Sequence, residues 1–189
     1  MARMKLKQDN TKVILVDEKD NEVGTIDKLE AHVLGLLHRC FSIFIVNSKG
    51  DILIQKRSAS KYHSPGIWSN TCCSHPLPGE STLHAAHRRL YEEMGVDTSL
   101  KEVLTLIYKF ELRCGLIEHE FNHVLLGVTD RMPRVNPSEV DDWKWCDPRK
   151  LLNDAIENSE KYSEWMTLIL NRLINEQYLP IAKNNPRKG

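Results

Sequence analysis

The sequence predicts a single-domain α/β (α+β) fold, with a mixed sheet sandwiched between helices. Three observations carry this. Runs rich in β-branched and aromatic residues, such as Lys12 to Val16 and Phe41 to Val46, alternate with segments of helical period, such as Ser81 to Met94. A chain of 189 residues is long enough for one domain with a real core and short for two. At 41% apolar and 28% charged residues, its composition is that of an ordinary soluble globular protein. The domain is expected over residues 11–180, with flexible segments at 1–10 and 181–189.

Each element follows from local chemistry. Lys12-Val13-Ile14-Leu15-Val16 reads as a strand, Asp17 to Asn21 as a polar turn, and Val23 to Ile26 as a returning strand. Lys28 to His38 reads as irregular. Phe41 to Val46, the turn Asn47-Ser48-Lys49-Gly50 and Ile52 to Gln55 make a hairpin. Pro65 to Asn70 is an apolar, turn-rich run. Ser81 to Met94 is a helix capped by Ser81 or Thr82 and stopped by Gly95, with Leu83, Ala86, Leu90 and Met94 as its apolar stripe. Arg89 and Glu93 fall on the border of that stripe and Glu92 points away. Ile107 to Phe110, Glu118 to Val128 and Trp143 to Cys146 read as strands. Asp147-Pro148 starts a helix to about Glu157, and Ser163 to Glu176 forms the last helix.

Formal net charge is zero, so no global field draws the chain to nucleic acid or to a membrane. No run approaches the ~18 apolar residues of a spanning helix, and Met1 to Asn10 has no apolar stretch of a secretory signal. The five cysteines, Cys40, Cys72, Cys73, Cys114 and Cys146, are odd in number and include no C-x-x-C pair. Reduced thiols in a cytoplasmic protein are expected. The expected partner is a small molecule, and the expected state is a monomer or weak homodimer. An anionic ligand must then be held by a local basic cluster.

Several residues carry chemistry. Glu118 and Glu120 are two apart in a strand and share a face, which Asn122 and Val124 continue into the core. Two such carboxylates repel each other unless a cation or proton intervenes. A solvated strand end is the plain alternative. His32, His38 and His75 would add three nitrogens, giving a mixed N/O shell suited to Mn²⁺ or Zn²⁺ rather than Ca²⁺. Taken singly, each is an ordinary core or surface histidine. Cys73 precedes His75 by two, and near cations its thiol would exchange protons; Cys72 is its neighbour, and spacing does not choose between them. Lys28, Arg57, Lys61, Arg88 and Arg89 are surface charges singly, and a diphosphate grip with Mg²⁺ together.

Ser74 to Val96 can be laid on the Nudix box, G-x5-E-x7-R-E-U-x-E-E-x-G-U. Glu80, Arg88, Leu90, Glu92, Glu93, Gly95 and Val96 match. Ser74 replaces the glycine, and Arg89 replaces the glutamate of the R-E pair. The second change removes a metal ligand and adds a phosphate-binding cation, so a Nudix-like α/β/α sandwich is implied more firmly than hydrolysis.

Beyond the box, the chain closely resembles the type 1 isopentenyl-diphosphate Δ-isomerase family. The matching stretches are Leu36 to Ser42, Gln55 to Ser58 with Lys61, Pro65 to Pro76, Gly79-Glu80, Arg88 to Val96, Glu118-His119-Glu120 and Trp143 to Cys146. The likeness runs from about residue 10 to residue 175. It implies Cys73 and Glu120 as the catalytic pair. It implies His32, His38, His75, Glu118 and Glu120 as Mn²⁺ or Zn²⁺ ligands, and Glu93 with the Cys73 carbonyl as a Mg²⁺ site. Lys28, Arg57, Lys61 and Arg89 become diphosphate contacts, and Trp165 faces the hydrocarbon end. A family tyrosine near the catalytic glutamate aligns with Phe110; Tyr108, two residues earlier on the same face, is the other candidate.

The implied reaction interconverts isopentenyl and dimethylallyl diphosphate. It protonates an unactivated alkene to a tertiary carbocation, which demands an acid, a base on the other side and no water. A tryptophan face, from Trp68 or Trp165, stabilises such a cation without attacking it. The alternatives are a Nudix hydrolase of a nucleoside diphosphate derivative and an inactive diphosphate-binding module.

Overall fold

The computed structural model describes residues 11–61, 63–112 and 114–179. The segments expected to be flexible, 1–10 and 181–189, lie outside them. Among the described residues nine strands form one sheet: β1 (Lys12–Val16), β2 (Glu22–Asp27), β3 (His38–Val46), β4 (Ile52–Arg57), β5 (Trp68–Asn70), β6 (Cys72–Ser74), β7 (Leu100–Glu111), β8 (Ile117–Val128) and β9 (Val140–Cys146). The helices are α1 (Lys28–Leu34), α2 (Thr82–Met94), α3 (Pro148–Glu157) and α4 (Glu164–Asn175).

β3 is the hub. It runs parallel to β8 from His38↔Glu120 to Val46↔Val128. Its side chains alternate between faces, as a strand requires. Phe41, Ile43 and Ile45 pack with Ala85, Ala86, Leu90 and Met94 of α2. Phe44 and Val46 pack with Leu151 and Ala155 of α3 and with Met166, Ile169, Leu170 and Leu173 of α4. The expected sandwich is therefore present, with α2 on one face and α3 and α4 on the other.

The antiparallel neighbour of β3 changes along its length. Ile45 and Val46 pair with β4, whereas Phe41 to Ile43 pair with β6. Buried polar side chains fill this fork, as unpaired backbone groups require. Thr71 Oγ1 accepts from Ile45 N at 2.9 Å and donates to the Leu53 carbonyl at 2.6 Å. Asn70 Nδ2 donates to the carbonyls of Ile43 and Cys72 at 3.0 and 2.9 Å. Gln55 Nε2 donates to the Thr71 carbonyl at 2.8 Å.

Four local expectations are corrected. Lys28 to His38 is not irregular throughout. Its first part is α1, capped by Asp27, whose carboxylate accepts from Leu29 N and Glu30 N, and stopped by Gly35 at φ 63°. Leu83 is not in the apolar stripe of α2, being 46% exposed; Ala85 is buried in its place. The run Pro65 to Asn70, read as turn-rich, ends in β5, and β6 follows at once. β7 and β9 begin at Leu100 and Val140, earlier than the side-chain pattern suggested, because each opens with a buried apolar residue followed by two exposed charged ones, at a register shift that breaks the period of two.

Helix α2 is braced to the chain before it. Arg88 grips Glu80 through Nε at 2.8 Å and Nη2 at 2.7 Å, and Leu77 N donates to the same carboxylate at 3.0 Å. Arg88 first, with the Leu77 bond, lowers the Glu80 carboxyl to about 2. A carboxyl depressed on folding stabilises the native state above its unfolded value and stops doing so as pH falls through its folded value. The stability gap between wild type and Glu80→Gln should therefore be full at pH 6–7. It should narrow below the ordinary glutamate value of 4.5 and close towards pH 2. Urea melts across this range check it; a gap independent of pH would refute the brace.

Candidate active site

The site follows from strand parity. The even-numbered His38, Cys40 and Ser42 of β3 and Glu118, Glu120 and Asn122 of β8 all face the α4 side, below the apolar Phe44 and Val124. Across the β7–β8 ladder, Tyr108 is opposite Glu120 and Phe110 is opposite Glu118. Of these, Cys40, Tyr108, Glu118 and Glu120 line a cavity of about 90 Å³. Lys28, Arg57, Lys61, Cys73, His75, Arg89, Glu93, Glu118, Glu120 and Trp165, all singled out from the sequence, line it. His32 and His38 are fully buried against the same group. Trp68 is not among the lining residues; its ring lies under the Lys144 ammonium, 4.4 Å away.

His32, His38, His75 and Glu120 offer ligand atoms within 4.8 Å of one another. Backbone carbonyls orient two of the rings. His32 Nδ1 donates to the Lys28 carbonyl at 2.6 Å, and His38 Nδ1 donates to the Leu36 carbonyl at 2.8 Å. That leaves each Nε2 with a lone pair turned towards the cluster, as metal-ligating histidines require. His38 Nε2 stands 3.1 Å from His75 Nε2, and His75 Nε2 stands 2.9 Å from Glu120 Oε1. Glu118 Oε2 lies 3.4 Å from His32 Nε2. Such convergence of nitrogens and carboxylates fits a borderline divalent cation.

Burial sets the proton affinities. It lowers His75 to about 3, so this imidazole is neutral and able to ligate. Burial opposes a charge on His32, and Glu118 outweighs it, raising the group. Burial, then the neighbouring Glu120, pushes Glu118 up. Burial also opposes ionisation of Glu120, yet His38 and His75 hold it well below the carboxylate range. The two carboxyls are thus driven apart, one towards the acid form and one towards the base.

Parity also separates the two adjacent cysteines. Cys72 pairs with Ile43 and packs in the α2 layer, whereas Cys73 pairs with Ser42 and lines the cavity. The Cys73 thiol donates to Asn70 Oδ1 at 3.0 Å, and Ser42 Oγ lies 3.2 Å from its sulfur. Burial pushes this thiol up to about 12, so it keeps its proton. Asn122 Nδ2 donates to Ser42 Oγ at 2.9 Å and to Tyr108 Oη at 3.0 Å. Tyr108 in turn donates a short hydrogen bond to Glu120 Oε2, where Cys40 Sγ also donates at 2.9 Å. A chain of hydrogen-bonded groups therefore joins the thiol to the carboxylate. Of the two candidates for the tyrosine position, Tyr108 and not Phe110 reaches Glu120.

The cations stand on different elements. Lys28 opens α1, one turn before His32. Arg57 Nε donates to the Ser64 carbonyl at 3.1 Å, and its guanidinium lies 5.8 Å from the Trp165 ring centre. Arg89 pairs with Glu92 and Glu93, each at 2.6 Å. Ser163 N donates to the Trp68 carbonyl at 2.9 Å, pinning the start of α4 and so Trp165 beside the cavity.

Sequence reasoning missed three groups. His63 lines the cavity, with Nδ1 3.5 Å from Glu118 Oε1 and its ring stacked 5.8 Å from that of His32. Cys40 and Ser42 also escaped, although the period-two pattern that placed Asn122 would have placed them. For His63, on a loop, no periodic signal existed.

Comparison with known proteins gives the family and the fold. Residues 36–166 match the NUDIX domain family. "Isopentenyl-diphosphate Delta-isomerase 2" of Aromatoleum aromaticum is 52% identical over 163 residues, covering 86% of each chain. "Isopentenyl-diphosphate Delta-isomerase" of Pectobacterium atrosepticum is 48% identical over 163 residues, covering 86% of this chain and 91% of that one. Among solved structures, a Deinococcus radiodurans protein has TM-score 0.69 at 24% identity, covering 85% of this chain and 98% of that one. A MutT protein from Methanosarcina mazei has TM-score 0.63 at 17% identity, covering 75% and 95%. At such identities the structural likeness speaks for the fold alone, and the hydrolase alternative reduces to a distant fold relation. With a Nudix domain over most of its length and isomerase relatives at about half identity, the chain belongs to the isopentenyl-diphosphate Delta-isomerase family.

Proposed function

We propose that this protein interconverts isopentenyl diphosphate and dimethylallyl diphosphate. The observation that carries the reading is one small cavity into which a thiol, Cys73, and a carboxylate, Glu120, both project, with cations lining the same space. The same lining sets those cations beside the buried ring of Trp165, a charged end and an apolar end in one space.

In the forward direction one of the two groups adds a proton to the terminal alkene carbon. The positive charge falls on the tertiary carbon, and the other group removes a proton from the carbon beside the diphosphate-bearing one. The reverse reaction exchanges the roles. Tyr108 and Cys40 hold Oε2 of Glu120 by hydrogen bonds, and Asn70 and Ser42 hold the Cys73 sulfur. Trp165, 3% exposed, supplies an aromatic face that stabilises a carbocation and offers it no nucleophile. Burial of the walls keeps out water that would trap the cation. Lys28, Arg57, Lys61 and Arg89 would grip the diphosphate, whose binding energy holds the alkene in place.

His32, His38, His75, Glu118 and Glu120 would hold Mn²⁺ or Zn²⁺, and Glu93 with the Cys73 carbonyl and the diphosphate would hold Mg²⁺. When bound, the first ion supplies positive charge that orients Glu120 and eases its proton exchange. A cytoplasmic setting, in which the five free thiols stay reduced, belongs to the same proposal, as does a monomer or weak homodimer.

Incubation with isopentenyl diphosphate in deuterated water, followed by NMR, should show deuterium entering substrate and product. Cys73→Ala should lower turnover about 100-fold or more, as loss of a general acid–base group does, while diphosphate still binds. Cys72→Ala should keep most of the activity; equal losses in the two variants would overturn the assignment of roles. Chelation should abolish turnover, and Mn²⁺ or Zn²⁺ together with Mg²⁺ should restore it. Full activity of metal-free protein would count against the metal centre.

A further inference from the structure

One carboxylate stands directly behind the cavity's cations and does not line the cavity itself. Glu139 Oε2 forms a short ion pair with Lys61 Nζ and lies 3.4 Å from Arg89 Nη2. Lys61 and Arg89 both line the cavity, but they arrive from different places, a loop after β4 and the middle of α2. Glu139 sits on the turn that leads into β9, and that turn is bonded to both. Ser58 N donates to the Glu139 carbonyl at 3.0 Å, and Ala59 N donates to Asp141 Oδ2 at 2.9 Å. On the other side, Asn136 N donates to the Glu93 carbonyl at 2.9 Å. Glu139 is thus held between the two cation-bearing segments by backbone bonds independent of its own side chain.

Two cations aimed at one anion site repel each other, and left alone they turn out into water. Glu92 and Glu93 hold Arg89 from its own helix, and a fixed carboxylate shared with Lys61 offsets the repulsion between the two cations before any ligand arrives. We propose that Glu139 is a positioning residue of the anion-binding end, holding Lys61 and Arg89 aimed into the cavity. Its own negative charge opposes an incoming diphosphate, so the net effect depends on which contribution is larger. The shared oxygen, the half-buried setting and the bonded turn favour pre-organisation. Lys61 and Arg89 keep the Glu139 carboxyl ionised against its burial. The inference rests on the diphosphate reading of the cavity and concerns binding rather than proton transfer.

Calorimetry with inorganic diphosphate and Mg²⁺ on the metal-loaded protein tests it apart from catalysis. Glu139→Gln should weaken this binding about tenfold, the equivalent of one charge-assisted interaction. Glu139→Asp should lose less. In a Lys61→Met background the same Glu139→Gln change should cost clearly less, because its partner is gone. With isopentenyl diphosphate, Glu139→Gln should raise KM about tenfold and change kcat by less than about threefold. Unchanged or tighter diphosphate binding in Glu139→Gln would overturn the proposal. So would equal costs in the two backgrounds, or a fall in kcat matching the rise in KM. If the wild type bound diphosphate and turned over neither isomer, the isomerase reading would fall while the binding arms still decided the role of Glu139.

Discussion

The parallel ladder between β3 and β8 is the constraint on which the rest depends. Opposed residues of two paired strands share a face, so register decides which side chains meet. With His38 set opposite Glu120, an imidazole from one strand and a carboxylate from the other are brought together in the interior. A slip of β8 by one residue would turn Glu118 and Glu120 to the opposite face and bring His119 and Phe121 there instead. Apolar residues further along hold the register. Phe44 and Val124 must face α4, while Ile43 and Leu125 must face α2. The core therefore fixes the site. The fork in the sheet adds the third wall, because only by leaving β4 free early does β3 gain β6 and the Cys73 thiol as a neighbour.

Such a cluster is costly without compensation. Three imidazoles and two carboxylates at 0–14% side-chain exposure are far from the solvent that would screen them. The protein answers part of this cost with hydrogen bonds. Carbonyls of Lys28 and Leu36 take the outward nitrogens of His32 and His38, and Tyr108 and Cys40 take one oxygen of Glu120. What is left over points inward, where two imidazole Nε2 atoms stand 3.1 Å apart. A divalent cation is the group that would turn that crowding into bonding. The same reasoning explains why α1 is worth its short length. Seven residues suffice to aim Lys28 and His32 at the same space, and Asp27 and Gly35 cap both ends.

Much of this was legible in the sequence, for identifiable reasons. Strands and helices with a clear period announced themselves, as did the caps at Ser81, Gly95 and Asp147. Glu118 and Glu120 were recognisable as a same-face pair because a strand has period two. The choice between Cys72 and Cys73 was not legible, since adjacent residues differ only by face, and the face is set by pairing with β3. Tyr108 and Phe110 share a face, so only the register with β8 decides which one meets Glu120. Helix α1 was missed because Val33 and Leu34 are 54% and 56% exposed, which hides its apolar period, although Asp27, Glu30 and Gly35 carry its capping signals. His63 left no trace because loop residues have no period. Its place in the cavity arises from the fold of the whole segment after Arg57.

Arg89 shows how a shared fold changes its chemistry. In the Nudix box this place on the helix belongs to a carboxylate, which helps gather metal ions for attack on a diphosphate. Here a guanidinium occupies it, paired with Glu92 and Glu93 on its own helix and close to Glu139 on the neighbouring turn. The pairing with Glu93 raises its already high proton affinity against burial, so the charge is permanent. A fixed cation beside Glu93, the box carboxylate that lines the cavity, favours holding a diphosphate over cleaving it, because one ligand position for an activating ion has been lost. Holding without cleaving is what an enzyme working on the hydrocarbon end requires: on the proposed assignment the diphosphate would survive as a handle while Cys73 and Glu120 carry the proton chemistry. On this view the departure of the box from its pattern and the gain of a buried thiol–carboxylate pair are two halves of one change. Arg89 and Glu93 of the helix and the groups that β3, β6 and β8 present thus meet around one cavity, which is the arrangement the proposed division of labour requires.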